Sequence, residues 1–263
     1  MLIVSRLWVF PRALCGFFAG YAPGLAMAGA YLQPAGEGQV IVQAAATQTT
    51  RAFDAMGRPG RRPSWQKAEI EAYAEYGLAD WATLIASPSL MYFHNAGARP
   101  ASYAGLSESE IGAKMRLLLY GPAIFSAQAT LRTTGAVLGG GTRALAGQGG
   151  LRADARLMAG AGFAVFGFSG FVDAQLGYRT SLRGLAGEVH ADATAGIRPV
   201  ERVLLMLQSF STVSAKMQSH KLQISAVYDL TKALSVQIGV FATMAGRNAP
   251  QEKGVISALW VRF

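Results

Sequence analysis

The chain has 263 residues, 51% of them apolar, yet beyond residue 30 no run approaches the ~20 consecutive apolar residues of a membrane-spanning helix. Its formal charge is +9, glycine and alanine are abundant, and it contains one cysteine, Cys15. This composition excludes a helical membrane bundle, a disulfide-stapled scaffold and a thiol-ligated metal centre.

The first thirty residues carry Arg6 and Arg12, an apolar stretch, and small residues at Ala26, Ala28 and Ala30. That is the layout of a secretory signal peptide with an A-x-A-like cleavage site after Ala28 or Ala30. Arg12 just before Cys15, and the long apolar stretch after it, argue against a lipid anchor there. Removing residues 1–30 leaves a mature chain without cysteine. For an exported protein the basic balance suits anionic lipid or an anionic solute better than nucleic acid.

From there to the end the pattern has period two. In "SWQKAEIEAYAEYGL", Lys67, Glu69, Glu71, Tyr73 and Glu75 share one face, and Ile70, Ala72, Ala74, Tyr76 and Leu78 the other. A helix would mix these sets, whereas a strand separates them. The reading predicts about twelve strands, at 37–49, 64–78, 81–93, 106–120, 124–134, 151–161, 164–179, 187–198, 202–212, 219–230, 234–244 and 254–263. The first and ninth are the least regular. Most approach the ~9–11 residues a tilted strand needs to cross a bilayer. Short links are expected at Ala79–Asp80, Gly121–Ala123, Gly162, Pro199–Glu201 and Thr231–Ala233. Five longer links fall opposite them, including "RPGRRP" at Arg58–Pro63 and the Gly-rich stretch ending at Gly150. No linker divides residues 31–263, so the reading is one domain.

Alternation alone leaves open a soluble sandwich or lipocalin-like barrel. Three features favour an apolar face turned to lipid. The acids Glu69, Glu71, Glu75, Glu108, Glu110, Asp154, Asp173, Glu188, Asp192 and Asp229 fall on strand faces instead of loops. The aromatics form two bands on the apolar face: Tyr76, Phe125, Phe166, Tyr228 and Phe263 near the short-turn end, and Tyr92 and Tyr178 near the other. The signal peptide supplies the third.

The chain stops in mid-strand on an aromatic residue, and "VISALWVRF" resembles the C-terminal signal of Gram-negative outer-membrane β-barrel proteins. Val255, Leu259, Val261 and Phe263 match its alternating apolar pattern, while Ser257 departs from it. The resemblance implies an all-β, antiparallel up-and-down transmembrane barrel of about twelve strands, porin- or channel-like, in the outer membrane. It also implies recognition by the barrel-assembly machinery, with Leu259, Val261 and Phe263 as the signal.

Catalytic chemistry finds little support. Lipases and deacylases of this architecture place a His and a Ser two apart on a strand, but the residue two beyond His190 is Asp192. His94 and His220 lie in or beside loops without ligand spacing, and the Gly-rich loop lacks the Gly-Lys-Ser/Thr ending of a phosphate cradle. No cofactor or metal is implied. "RPGRRP" is either a solvated tip or a contact for lipopolysaccharide phosphates.

The polar face remains. Lys67, Lys114, Arg116, Arg132, Arg152, Arg156, Arg179, Arg198, Arg202, Lys221 and Arg262 are expected to point inward beside the acids. Either these charges pair and plug the lumen, or they segregate, with Lys114, Arg116, Arg132, Arg152 and Arg156 as a basic wall and Glu69, Glu71 and Glu75 as an acidic one. Segregated walls would suit a monomeric narrow channel for small polar or anionic solutes. The alternatives are a non-conducting barrel in cell-surface or exopolysaccharide assembly, a barrel hydrolase built around His190, and a lipid carrier.

Overall fold

The computed structural model describes residues 29–96, 100–134, 150–182 and 187–263. The expected signal peptide up to Ala28, with Cys15, and nearly all of the Gly-rich loop lie outside the described residues. Fourteen strand segments follow one another: β1 Gly38–Phe53, β2 Pro59–Ala79, β3 Ala82–Ser87, β4 Ser89–Asn95, β5 Ala101–Leu106, β6 Glu108–Tyr120, β7 Ala123–Thr134, β8 Leu151–Val165, β9 Phe168–Ser181, β10 Glu188–Val200, β11 Val203–Ser214, β12 Gln218–Asp229, β13 Leu234–Arg247 and β14 Lys253–Arg262. No helix occurs among the described residues.

These segments make twelve staves. β3 and β4 pair successively along β2 and part at Pro88, which has no N–H to give the ladder. β5 and β6 part at Ser107, whose N–H donates to Ser89 O at 2.8 Å. Every junction is antiparallel, and β1 pairs with both β2 and β14, so the sheet closes. At the seam Gly38 N donates to Phe263 O at 2.7 Å and Phe263 N to Gly38 O at 2.9 Å. An even stave count returns the end of the chain beside its start, and closure leaves no backbone edge facing lipid.

The turns refine the expected links. The link placed at Gly162 is at Phe166–Gly167, because β8 runs on to Val165 and pairs with Phe168. Both turn residues have positive φ, 51° and 82°, the geometry of a tight type I′ hairpin. Phe166 therefore sits at a turn tip, 94% exposed, and not on a strand face. Arg202, expected inside, lies in the exposed Glu201–Arg202 turn. At the opposite end "RPGRRP" is mostly strand. β1 and β2 stay paired out to Phe53 and Pro59, and the register step between Thr49 and Arg51 accommodates residues 62–64 as a bulge. Residues 215–217 form a sixth link at that end and it is short, so the alternation of short and long is not strict.

The faces are inverted relative to a soluble protein. Among the described residues buried polar side chains (20) outnumber buried apolar ones (16). Ile70, Leu84, Leu90, Ile111, Met115, Leu157, Leu176, Leu207, Ile224, Ile238 and Val255 stand exposed on the outside. A soluble sandwich would bury this set, whereas a bilayer covers it. Tyr76, Phe125, Tyr228 and Phe263 are exposed toward the short-turn rim, joined there by Trp81 and Tyr120, and Tyr92 and Tyr178 toward the other.

Candidate functional site: the barrel lumen

The short-turn end of the lumen is occupied by residues 29–37, which precede β1 and run inside the barrel as a strap. Ala30 N donates to Asp173 Oδ2 at 2.6 Å and Ser126 Oγ to Ala30 O at 2.8 Å. Gln33 Nε2 donates to Glu75 Oε2 at 2.9 Å, and Gln33 N to Thr83 Oγ1 at 3.1 Å. Lys114 Nζ reaches Gly29 O and Tyr31 O, each at 2.8 Å, and Glu75 Oε1 at 2.7 Å. Tyr73 Oη donates to the same Glu75 oxygen. Both charged side chains of this Lys114–Glu75 pair are fully buried. Apolar packing reinforces the strap. Tyr31 packs against the cluster formed by Ile41, Phe171, Leu204, Met206, Val227, Ala258 and Trp260, while Ala30 and Leu32 pack with Ile124 and Met158.

Above the strap, β6 to β10 carry an ion network. Arg132 Nε donates to Glu110 at 2.5 Å, and its Nη1 lies 3.4 Å from Glu108. Asp154, whose side chain is fully buried, accepts from Arg156 Nε at 3.0 Å and Arg179 Nε at 2.9 Å, and its Oδ2 lies 3.0 Å from His190 Nε2. Arg179 also holds Glu188 at 2.8 Å; Arg152 lies 3.5 Å from Glu188 and Arg156 3.5 Å from Asp192. Near the breaks in the wall, Glu69 takes Lys67 at 2.9 Å and the hydroxyls of Ser89 and Ser107, and Glu71 takes Ser87.

The facing side, β11 to β14 with β1, is uncharged at mid-height, with ion pairs only toward its two ends: Lys221 with Glu252, and Arg198 and Arg262 with Asp229. Gln223 Nε2 donates to Gln208 Oε1 at 2.8 Å, and Trp260 Nε1 to Gln237 Oε1 at 3.0 Å. Between the two sides lies a cavity of about 300 Å³. Gln43, Gln208, Gln223, Gln237, Thr194 and Glu71 supply its polar lining, and Tyr73, Phe171, Phe210 and Trp260 its aromatic lining.

The expected walls are distributed accordingly. Arg132, Arg152 and Arg156 are brought together, but with Glu108, Glu110, Asp154, Glu188 and Asp192 among them. Lys114 of the basic wall is bonded to Glu75 of the acidic one, and both are sealed under the strap. Arg116 stands apart, near the short-turn rim, its N–H bonded to Trp81 O. Glu69 and Glu71 remain on one side as expected. The network thus interleaves charge where segregation was the alternative. What sequence reading missed is the strap and the glutamine and aromatic side. Residues 29–37 have no periodicity to read, and Ile41, Phe171, Met206 and Trp260 are apolar residues on the lumen face.

Among the described residues the histidines pair either with carboxylates or with a serine hydroxyl, and none with both. His190 has carboxylates for neighbours, Asp154 at 3.0 Å and Asp192 at 4.0 Å. His220, on β12 and not in a loop, has Nδ1 3.0 Å from Ser211 Oγ of β11, and His94 Nδ1 lies 2.9 Å from Ser102 Oγ. Neither pair has an acid bonded to its histidine among the described residues.

No family model and no curated protein matches the chain. Solved structures do. The COG4313 outer membrane channel from Pseudomonas putida F1 aligns over 89% of this chain and 97% of its own, at 14% identity and a TM-score of 0.65. The KdgM porin aligns over 85% and 99%, at 7% identity and TM-score 0.53, and the NanC porin over 84% and 98%, at 6% and 0.51. At these identities the likeness is one of fold: the chain has the closed twelve-stranded barrel found in outer-membrane channels and porins.

Proposed function

We propose that the protein is a monomeric outer-membrane channel for passive passage of small polar or anionic solutes, narrowed at its periplasmic, short-turn end by its own N-terminal strap. The observation that carries this reading is a hydrophilic, charge-lined lumen with a cavity of about 300 Å³ inside an apolar-belted closed barrel. A barrel serving only as a membrane anchor has no need to keep Arg132, Arg152, Arg156 and Arg179 on its lumen face, and charged linings are how pores select solutes. The fold likeness to named channels and porins supports it. A hydrolase is disfavoured because, among the described residues, His190 has the carboxylates of Asp154 and Asp192 for neighbours and no nucleophile bonded to it. Outside the membrane, Arg61 and Arg62, exposed on the long β1–β2 hairpin, are the groups that would meet lipopolysaccharide phosphates, and Phe263 is the terminal residue that would be offered to the barrel-assembly machinery.

The test is single-channel recording of refolded protein in planar bilayers, with Arg152→Glu and Arg156→Glu beside it. Small discrete conductance steps are expected, with anion preference falling in both variants. Silence from protein whose folding is verified by heat-modifiable mobility would overturn the channel reading and leave an assembly role.

A further inference from the structure

Three carboxylates are buried in the described barrel: Glu75, Asp154 and Asp173. Glu75 has Lys114 at 2.7 Å, and Asp154 has two arginines and His190 within 3.0 Å. Asp173 is 4% exposed and, among the described residues, has no cation within 4 Å. Its partners are the Ala30 N–H at 2.6 Å and Gln175 Nε2 at 3.1 Å. Lys114, bonded to Gly29 O, acts on Asp173 only from beyond salt-bridge distance; a buried carboxylate without a bonded cation is strongly unfavourable, so the missing direct partner is the question this site poses.

Gly29 faces the Asp173 carboxylate. A methyl group built there would overlap Asp173, and Gly29 has φ of +137°, so only glycine fits. The Gly29 carbonyl is fixed by Lys114 Nζ and the next residue, Ala30, is 0% exposed. Gly29 also follows Ala26-Met27-Ala28, one of the two small-residue signals at which the leader could be removed.

We propose that leader removal occurs between Ala28 and Gly29, and that the α-ammonium it creates docks on Asp173 as the lumen's built-in counter-ion. A leader peptidase adds water across the Ala28–Gly29 amide: the hydroxyl goes to the Ala28 carbonyl carbon, the C–N bond breaks, and the Gly29 nitrogen leaves as an amine. With an ordinary pKa of ~7.7–8.0 that amine is mostly protonated at neutral pH. Held beside a carboxylate it stays so. Cleavage after Ala30 would instead discard Gly29 O and both Ala30 contacts, leaving Lys114, Ser126 and Asp173 each short of a partner. The cut and the fold are therefore coupled: processing releases the leader and in the same step creates the charge that fastens the strap in the lumen.

The experiment begins with N-terminal sequencing and intact mass of the full-length gene product purified from outer membranes. The mature chain is expected to start at Gly29; a start at Tyr31, or retained leader, would overturn the proposal. Docking is then read by acylation of the α-amine at neutral pH in folded and in urea-unfolded protein. Labelling should be at least roughly tenfold slower when folded, since raising the amine pKa by one unit removes nine tenths of the reactive form. Equal rates would overturn docking. In Asp173→Asn, checked for folding by heat-modifiable mobility, protection is expected to vanish, and protection retained there would show that Asp173 is not the partner. Should that variant not fold, the folded-against-unfolded comparison of the native chain decides alone.

Discussion

Lys114 Nζ sits 2.7 Å from Glu75 Oε1 with both side chains fully buried, although β3 separates their strands, β2 and β6, in the sheet. The pair reaches across an intervening stave, and the lysine's other two bonds go to strap carbonyls. Removing one partner strands the other charge, at a cost of roughly 3–5 kcal/mol. Lys114→Met should therefore lower the unfolding free energy of the refolded barrel, read from its urea transition, by that order and raise its conductance, because the strap loses two of its anchors. The double variant with Glu75→Gln should recover part of the stability and none of the closure. A Lys114→Met barrel of native stability would show that the strap is held by its apolar packing instead.

Gly177 and His190 are register partners on β9 and β10, and the imidazole lies where a side chain at Gly177 would be. In Gly177→Ala the ring must leave Asp154. The expected loss is about 1–3 kcal/mol, the range for overpacking a filled site. The same substitution on a His190→Ala background should cost much less, because the clash is gone, and chemical denaturation of the four proteins of this cycle measures the difference. Additive losses would mean that the strain lies in the backbone.

How much of this was legible follows from what alternation can carry. Period two assigns a residue to a face, and it did so for Lys67 to Glu75, for Arg152, Asp154 and Arg156, and for the closing strand up to Phe263. It cannot name neighbours on that face. Which cation meets which acid depends on stagger, and it is stagger that sets Arg132 opposite Arg152 yet brings Glu110 and Glu188 between them. Turn positions failed where a strand could run on: a glycine at 162 looked like a break, but Phe166 and Gly167 take the positive φ values. The strap was invisible because its nine residues carry no period and its place is defined only once the barrel has closed around it.

At the tip of the β1–β2 hairpin, outside the membrane, the Asp54 carboxyl is held below its usual range, first by the Arg58 N–H at 2.9 Å and then by the Met56 N–H and the Arg58 guanidinium. A lowered pKa in the folded state means the contribution is full above the unfolded value of ~3.9 and is lost as pH falls through the folded one. Amide exchange at Met56 and Arg58, corrected for the intrinsic rate, should lose protection below about pH 4. Asp54→Asn should show weak protection at every pH. A tip equally protected in both proteins would place its order in the Asn248 N–H bond to Asp54 O.

The last residue makes two separable contributions. Its backbone closes the barrel through the two bonds to Gly38, and its ring lies over Gly38, where a side chain would collide with it. Phe263→Ala keeps both backbone bonds and removes the ring from the lipid-facing rim. Refolding in detergent depends on the first contribution, so heat-modifiable mobility should survive, with a loss of about 1–2 kcal/mol in unfolding free energy from the apolar area given up. Delivery to the outer membrane depends on the second if the terminal aromatic is read during assembly, so the amount in outer-membrane fractions should fall severalfold while unassembled chain accumulates in the periplasm. Gly38→Val is the control. It disturbs the seam and displaces the Phe263 ring but leaves the residues of the terminal signal unchanged, and should impair refolding and delivery together. Equal outer-membrane levels for Phe263→Ala and the native chain would remove Phe263 from the assembly signal and leave Leu259 and Val261 to carry it.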